Sequence, residues 1–266
     1  MRFVRRHILS AYAVLALAYL FLPIAVVVLF SFNNPRGRFN YTWEGFTFKN
    51  WTNPFGFPGL SAALKVSIEI AFLSSLFATA LGTLIALALV RYRFKGSATT
   101  NLLIFVPMTT PEVVMGASLL TLFVNWRIAQ GFGTILIAHI LFNISYVVVT
   151  VRARLVGFDR HLEEAAMDLG ANEWVTFMKV TLPLIMPGIV AAGLLAFALS
   201  IDDFVITYFN AGSTVTFPLF VWGAARVATP AQINVIGTAI FVIAVSGMLA
   251  NILLQNFRSR KGALAV

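Results

Sequence analysis

The chain contains no cysteine among its 266 residues, which excludes disulfide bonds and thiolate chemistry. Charged residues are also scarce, at 11% of the chain, whereas soluble domains carry about a quarter. Apolar residues make up 59%. This composition leaves no room for a large soluble domain and predicts a polytopic membrane protein.

Motifs for catalysis and metal binding are missing as well. No Gly-Lys-Ser/Thr phosphate loop occurs, so energy from ATP would have to come through a partner. His7, His139 and His161 have no metal-ligand spacing, and no Ser/His/Asp set or paired-cysteine site is evident. We therefore expect a chain that is not an enzyme and that holds no cofactor or metal of its own.

Long apolar runs fill most of the chain, and about 20 residues suffice to cross the hydrocarbon of a bilayer. Helices are expected because an open chain cannot leave backbone groups unpaired in lipid, and a barrel would show shorter alternating strands. The predicted fold is all-α, one transmembrane domain over residues 1–266 with six spans. The spans are predicted at about 8–32, 60–90, 102–125, 133–151, 184–209 and 233–257.

Basic residues crowd into alternate loops, which by the positive-inside rule are cytoplasmic. The cytoplasmic set comprises Arg2, Arg5, Arg6, Arg91, Arg93, Lys95, Arg152, Arg154, Arg160, Lys179, Arg258, Arg260 and Lys261. The opposite loops hold only Arg36, Arg38, Lys49, Arg127 and Arg226. Both termini are then predicted inside. Anionic lipid headgroups account for the net charge of +9, so no nucleic-acid partner is expected.

The polar stretch 159–179, which we call the coupling segment, shows two short helical patterns that meet at a glycine. Asp159 can cap the first helix, and Gly170 can end it in a left-handed turn. Glu163 and Glu164 suit the positive end of its dipole. Asn172 can cap a second helix, which is predicted to stop near Pro183.

One narrow face of the first helix is apolar and mostly small-sided, formed by Leu162, Ala165, Ala166 and Leu169. Small side chains allow another surface to approach closely, so the face predicts a docking site. The alternative is a solvated loop whose small residues only suit local packing.

Acidic residues inside apolar spans each need a partner, a water-filled cavity or a role, because a mid-membrane carboxylate costs about 2.5 to 3.5 kcal/mol. Glu69 is four residues after Lys65, a spacing typical of a structural pair. Glu112 follows Pro107 and Pro111, which predict a kinked or broken helix lining a path.

Asp202 and Asp203 are about 100° apart around a helix, so the helix either lines a cavity or breaks there. A cavity is the simpler expectation. A di- or tri-cationic substrate would neutralise the repulsion between the two carboxylates. The alternative is structural: one aspartate caps a segment while the other pairs with a basic group such as Arg226.

Two sets of motifs resemble known transport proteins. Glu164-Ala-Ala, three residues, Gly170, nine residues and Val180-Thr-Leu-Pro resemble the coupling motif of inner-membrane permease subunits of bacterial ABC importers. Ser200-Ile-Asp-Asp-Phe-Val and Thr110-Pro-Glu-Val-Val-Met-Gly resemble the spermidine/putrescine permeases, C-type or I-type. Two departures are Glu112, where aspartate is more common, and Ala-Gly-Ser-Thr after Asn210.

The resemblance implies the MetI-like fold of type I importers and polyamine import by alternating access in a bacterial inner membrane. It implies a second permease, an ATPase dimer that holds ATP and magnesium, and an extracytoplasmic binding protein as partners. The substrate path is expected to include Trp43, Glu112, Ser200, Asp202 and Asp203. The ATPase contact is expected at Glu164, Ala165, Ala166, Asp168, Gly170 and Glu173.

Other functions stay open from the sequence. Permeases of the same architecture carry amino acids, opines or phosphonates. A secondary transporter could use Glu69, Glu112, Asp202 and Asp203 as a proton relay, although it would have no need of a cytosolic docking helix. An intramembrane enzyme is a further alternative, for which no motif is present.

Overall fold

The computed structural model describes residues 2–92 and 94–263, with side chains described from residue 9 to residue 249 except Arg93. The basic residues predicted at the two chain ends, and Arg93, lie outside the described side chains. Within the described ranges the regular structure is helical, and pairing of extended backbone is limited to isolated bridges at Asn33–Phe46 and Phe39–Thr229. The predicted all-α class is confirmed.

Twelve α-helices occur in the described residues. They are α1 (Arg2–Ser31), α2 (Lys49–Thr52), α3 (Leu60–Arg91), α4 (Ser97–Thr109), α5 (Glu112–Asn125), α6 (Phe132–Val156), α7 (His161–Asp168), α8 (Glu173–Thr176), α9 (Leu182–Ile201), α10 (Val205–Asn210), α11 (Phe217–Val227) and α12 (Ala231–Ala263). Residues Phe177–Thr181 form a π-helical turn, the π-turn, between α8 and α9.

Five helical stretches of the described chain are long and apolar enough to cross a membrane, and the bent pair α4 and α5 is either a broken span or a re-entrant loop. Counted as one span, the pair gives six spans, the predicted number, but the third is not one helix over 102–125. It begins at Ser97 and bends by 108° between α4 and α5. Thr110 is extended, with ψ 130°, as expected for a residue before proline. Pro111 therefore makes the break, whereas Pro107 is accommodated inside α4.

The fifth predicted span, 184–209, is also two helices. Its main part, α9, ends at Ile201, and α10 begins at Val205 after a break that contains both aspartates. The helix was expected either to line a cavity or to break at Asp202 and Asp203, and the structure shows the break. The break leaves backbone N–H groups without helical partners, and the Asp203 carboxylate accepts hydrogen bonds from those of Ile206 and Thr207.

The second helix of the coupling segment was predicted to stop near Pro183, and this is wrong. Glu173–Ile201 is one continuous helical stretch. Pro183 has no N–H for the carbonyl four residues earlier, and its ring crowds that carbonyl. The π-turn that immediately precedes α9 provides wider spacing at this point, so the chain continues into the membrane without a loop.

The chain divides into two compact units, which we describe separately. The first comprises the described residues up to Ser61 and from Val221 onward, where α1 packs against α12. The loop between α1 and α3, predicted as an outer loop, is organised by buried asparagines. The Asn33 amide donates to Asn40 Oδ1 at 2.6 Å and to the Thr42 carbonyl at 2.7 Å, and Asn50 donates to the Asn33 carbonyl at 2.7 Å.

The second unit, Ala62–Phe220, is built around α6, against which α9 packs along its length. Ala192 and Ala196 of α9 are fully buried in the core, and their small side chains allow a close helix approach. A Cβ on Gly82 of α3 would lie 2.6 Å from the Val147 side chain, and one on Gly193 would lie 3.1 Å from Thr79 Oγ1. Helices α3, α6 and α9 therefore approach closely.

Candidate functional site

The two helix breaks of the second unit come together because α10 packs against α5. A Cβ on Gly116, one turn into α5, would lie 2.8 Å from the Phe209 ring and 3.4 Å from Ile206 Cα. The Asn210 amide donates to the Gly116 carbonyl at 3.3 Å. Helix α10, which follows the α9–α10 break, therefore packs against α5, which begins at the α4–α5 break.

Three carboxylates, Glu112, Asp202 and Asp203, stand at these breaks, and we call them the acidic cluster. Glu112 is the first residue of α5 and lies within electrostatic range of both aspartates. Glu112 and Asp202 are exposed, whereas the Asp203 side chain is only 5% exposed. The three acids therefore share one location but not one environment.

Asp203 holds the first turn of α10. Its Oδ2 accepts from the Thr207 backbone N–H at 2.8 Å and from the Thr207 hydroxyl at 2.7 Å. Its Oδ1 accepts from the Ile206 N–H at 3.4 Å. His139 Nε2 lies 3.2 Å from Asp203 Oδ2. The structural alternative from sequence had one aspartate as a cap and the other paired with a basic group such as Arg226. In the structure Asp203 does both, with His139 as its partner, and Arg226 lies 3.8 Å over the Trp222 ring.

His139 of α6 is buried at the centre of a polar network that sequence reasoning missed. Its Nδ1 lies 2.6 Å from Ser200 Oγ, and Ser74 of α3 donates to Ser200 at 2.9 Å. Its Nε2 lies 2.9 Å from the Thr207 hydroxyl, whose single proton goes to Asp203. The ring must therefore donate from Nε2. The network joins α3, α6, α9 and α10.

His139 could have been found from the sequence, where its position in an apolar span is visible, but it was interpreted only as a possible metal ligand. A histidine in the middle of an apolar span needs a polar partner. The identity of that partner depended on the fold, because Asp203 is 64 residues away.

The structure brings together four of the five predicted path residues: Glu112, Ser200, Asp202 and Asp203. Ser200 is buried and committed to the His139 network. Trp43 belongs to the other unit, in the outer loop, where its ring is 43% exposed and meets Phe30 edge-on at 6.3 Å. The predicted pair of Lys65 and Glu69 is confirmed, at 3.8 Å.

The elbow of the coupling segment forms as predicted. The Asp159 carboxylate accepts from the His161 N–H at 3.0 Å at the start of α7. Gly170 ends that helix with φ +91°, in the left-handed region that favours glycine. Asn172 Oδ1 accepts from the Val175 N–H at 2.8 Å and caps α8.

Most of the segment's predicted contact residues are exposed and available to a partner. Glu164, Ala165, Asp168, Gly170 and Glu173 are exposed, and Ala166 is half-buried. Large apolar side chains in the same segment are also exposed, Leu169 at 90% and Trp174 at 69%. Glu164 lies 3.1 Å from His161 within α7. An apolar surface of this kind on a short polar helix is typical of a docking face.

Glu163 has a role that the sequence did not reveal. Its carboxylate pairs with the guanidinium of Arg91, the last residue of α3, and accepts a hydrogen bond from the Thr181 hydroxyl of the π-turn. Its side chain is 14% exposed, and Thr181 is fully buried. Glu163 therefore ties α7 to two membrane helices.

Comparison with known proteins gives a consistent result. Residues 78–262 match the family model described as "Binding-protein-dependent transport system inner membrane component". The chain is 38% identical over 244 residues to the spermidine/putrescine transport system permease protein PotC of Escherichia coli K12, covering 91% of this chain and 92% of PotC. It is 36% identical over 245 residues to the putrescine transport system permease protein PotI of the same strain, covering 89% and 86%.

Solved structures show the same fold at low identity. A chain of a bacterial ABC transporter involved in the import of the acidic polysaccharide alginate aligns with a TM-score of 0.62 at 16% identity, over 98% of both chains. A chain of the MetNI methionine ABC transporter in an inward-facing conformation aligns with a TM-score of 0.59 at 14% identity, over 72% of this chain and 92% of that one.

Proposed function

The chain belongs to the inner membrane components of binding-protein-dependent transport systems, and on this premise we propose that it is a permease subunit of an ATP-driven ABC importer for polyamines. It forms half of a translocation path that opens alternately to the two sides of the membrane. Spermidine and putrescine are the proposed substrates. The relatives with at least 36% identity named above are permeases of spermidine and putrescine systems.

The acidic cluster is the observation that carries the substrate assignment. Uncompensated carboxylates are costly at membrane depth, and the structure places Glu112 and Asp202 exposed at the junction of two broken helices. Broken helices at this depth line transport paths. Polyamines are extended polycations, so exposed carboxylates supply the opposite charge along their route. Trp43 is proposed to meet an ammonium group by a cation–π contact.

The coupling segment is proposed to dock into the ATPase dimer. Closure of the dimer on ATP moves α7, and the movement reaches the membrane through the continuous stretch α8–α9. Glu164, Ala165, Ala166, Asp168, Gly170 and Glu173 form the contact. The subunit carries out no covalent chemistry, and ATP and magnesium are held by the partner ATPase.

The assembly is proposed to contain a second, different permease, the ATPase dimer and an extracytoplasmic substrate-binding protein, within a bacterial inner membrane whose lipids contact the spans. Both termini face the cytoplasm, so that the coupling segment and the ATPase share one side. The basic loops support this orientation.

ATP hydrolysis by the reconstituted complex tests the proposal. The complex is placed in nanodiscs, and hydrolysis is measured with the binding protein unloaded, loaded with spermidine or loaded with putrescine. We expect the loaded forms to stimulate hydrolysis above the unloaded form. Equal rates of hydrolysis with the unloaded and the two loaded forms would overturn the polyamine assignment. Stimulation only by a binding protein loaded with another small organic solute would assign that solute as the substrate instead.

A further inference from the structure

Burial and the hydrogen bonds around Asp203 keep its carboxylate away from a substrate. An ionised carboxylate has about four lone-pair sites. Oδ2 receives the Thr207 N–H, the Thr207 hydroxyl and His139 Nε2, and Oδ1 faces the Ile206 N–H. The side chain is 5% exposed. An ammonium group could reach Asp203 only after the groups that bury it moved apart.

Asp202 has the opposite character. It is the residue at which α9 ends, and its side chain is exposed. Where Asp202 points depends on how the chain turns between α9 and α10. That turn is held at both ends by one imidazole, because His139 contacts Ser200 before Asp202 and contacts Asp203 and Thr207 after it.

We propose that His139 is a positioning residue for substrate passage: by holding Ser200 and Asp203 it fixes the α9–α10 break, so that Asp202 is the aspartate that meets the cationic substrate. The inference rests on the proposed function and deepens it. It divides two adjacent aspartates into a structural one and a substrate-contacting one. It also assigns a role to a buried histidine that does not touch substrate.

A matched pair of variants isolates the contact with Asp203. In His139→Gln the amide nitrogen can occupy the place of Nε2 and donate to Asp203, whereas in His139→Asn the shorter side chain reaches only the Nδ1 place, towards Ser200. Both variants keep a neutral polar group in the network. Thr150→Val is the control on the same helix, because the Thr150 hydroxyl donates to the Tyr146 carbonyl within α6 itself.

The readout is the amount of spermidine taken up per ATP hydrolysed, measured in proteoliposomes with the complete complex. A purely structural defect lowers uptake and hydrolysis together and leaves this ratio unchanged. We expect His139→Asn to lower the ratio about tenfold, the scale of one hydrogen bond to a charged group. We expect His139→Gln and Thr150→Val to stay near the wild-type ratio.

A double-mutant cycle with Asp202→Asn tests whether His139 acts through Asp202. We expect the pair H139N/D202N to be no worse than D202N alone. Multiplicative losses in the double variant, or an unchanged ratio in H139N, would overturn the inference.

Hydrogen exchange separates this inference from the proposed function. Peptides covering residues 203–210 should exchange faster in H139N than in H139Q, T150V or the wild type. Equal exchange in all four proteins would overturn the positioning role. If the wild-type complex transports no spermidine, the proposed function fails, and the exchange comparison still decides whether His139 holds the break.

Discussion

Glu163 on α7 is ion-paired with Arg91 at the end of α3, so the coupling segment is bonded to a membrane helix that is 72 residues away in the chain. The same carboxylate accepts from Thr181 at the foot of α9. The Glu163 carboxylate therefore bonds α7 directly to two spans. The neighbouring Glu164 is 62% exposed and faces outward. Adjacent glutamates thus divide into one that is bonded to the membrane helices and one that is exposed to solvent.

Glu163→Gln should uncouple ATP hydrolysis from transport. The change keeps the shape of the side chain but removes the charge from hydrogen bonds worth about 1.5 to 3 kcal/mol each. We expect spermidine uptake per ATP to fall several-fold while the ATPase still co-purifies. Glu69→Gln is the control, since its partner Lys65 is 76% exposed and the pair contributes little. If Glu163→Gln takes up as much spermidine per ATP as the wild type, the ion pair has no part in coupling hydrolysis to transport.

Disruption of the docking face should abolish transport and spare the membrane helices. Ala166→Arg places a long charged side chain on the half-buried part of that face. Gly170→Pro is incompatible with a φ of +91°. We expect both variants to insert and to retain the partner permease, but to lose co-purification of the ATPase and ATP-driven uptake. Normal uptake in either variant would refute docking at this segment.

Asp202 and Asp203 should respond differently to the same amide substitution. Asp202→Asn removes an exposed charge, so we expect impaired uptake of polyamine with an unchanged melting temperature. Asp203→Asn weakens the cap of α10 and the contact with His139. Loss of a cap costs about 0.5 to 2 kcal/mol, and we expect a lower melting temperature. Identical effects of the two changes on both readouts would contradict the division of roles.

Gly116→Ala should destabilise the contact between α5 and α10. The added Cβ would lie 2.8 Å from the Phe209 ring, and overpacking costs typically about 1 to 3 kcal/mol. We expect a lower melting temperature in detergent and recovery when Phe209→Leu is combined with it. Gly133→Ala is the control, because its Cβ would meet no atom of the rest of the described chain within 4 Å, outside its own helical turn. Equal melting temperatures for the two alanine variants would show that α10 is not packed as described.

Sequence reasoning succeeded where the cause is local. Hydropathy located the six spans, and the elbow at Gly170 followed from capping residues and a glycine whose preferences act over a few positions. Sequence reasoning failed where one local preference is overridden by another local structure. Pro183 predicted a helix end, but the π-turn keeps the helix continuous. For Asp202 and Asp203 the sequence left two alternatives, a cavity or a break in the helix, and the structure shows that α9 ends there.

The candidate site was only partly visible from the sequence, for a physical reason. Carboxylates in apolar spans stand out by their cost, so Glu112, Asp202 and Asp203 could be named. Their different roles depend on which donors the fold brings to each. His139 and Ser74 reach Ser200 and Asp203 from other helices, and no local pattern encodes those contacts.

The most direct test of the central claim is uptake of labelled spermidine and putrescine by proteoliposomes that hold this chain with its partner permease, ATPase and binding protein. We predict uptake that requires ATP and all four components, and that falls on Asp202→Asn. Uptake that persists without the ATPase would contradict the importer mechanism. ATP hydrolysis that is coupled to the binding protein while neither polyamine moves would contradict the substrate.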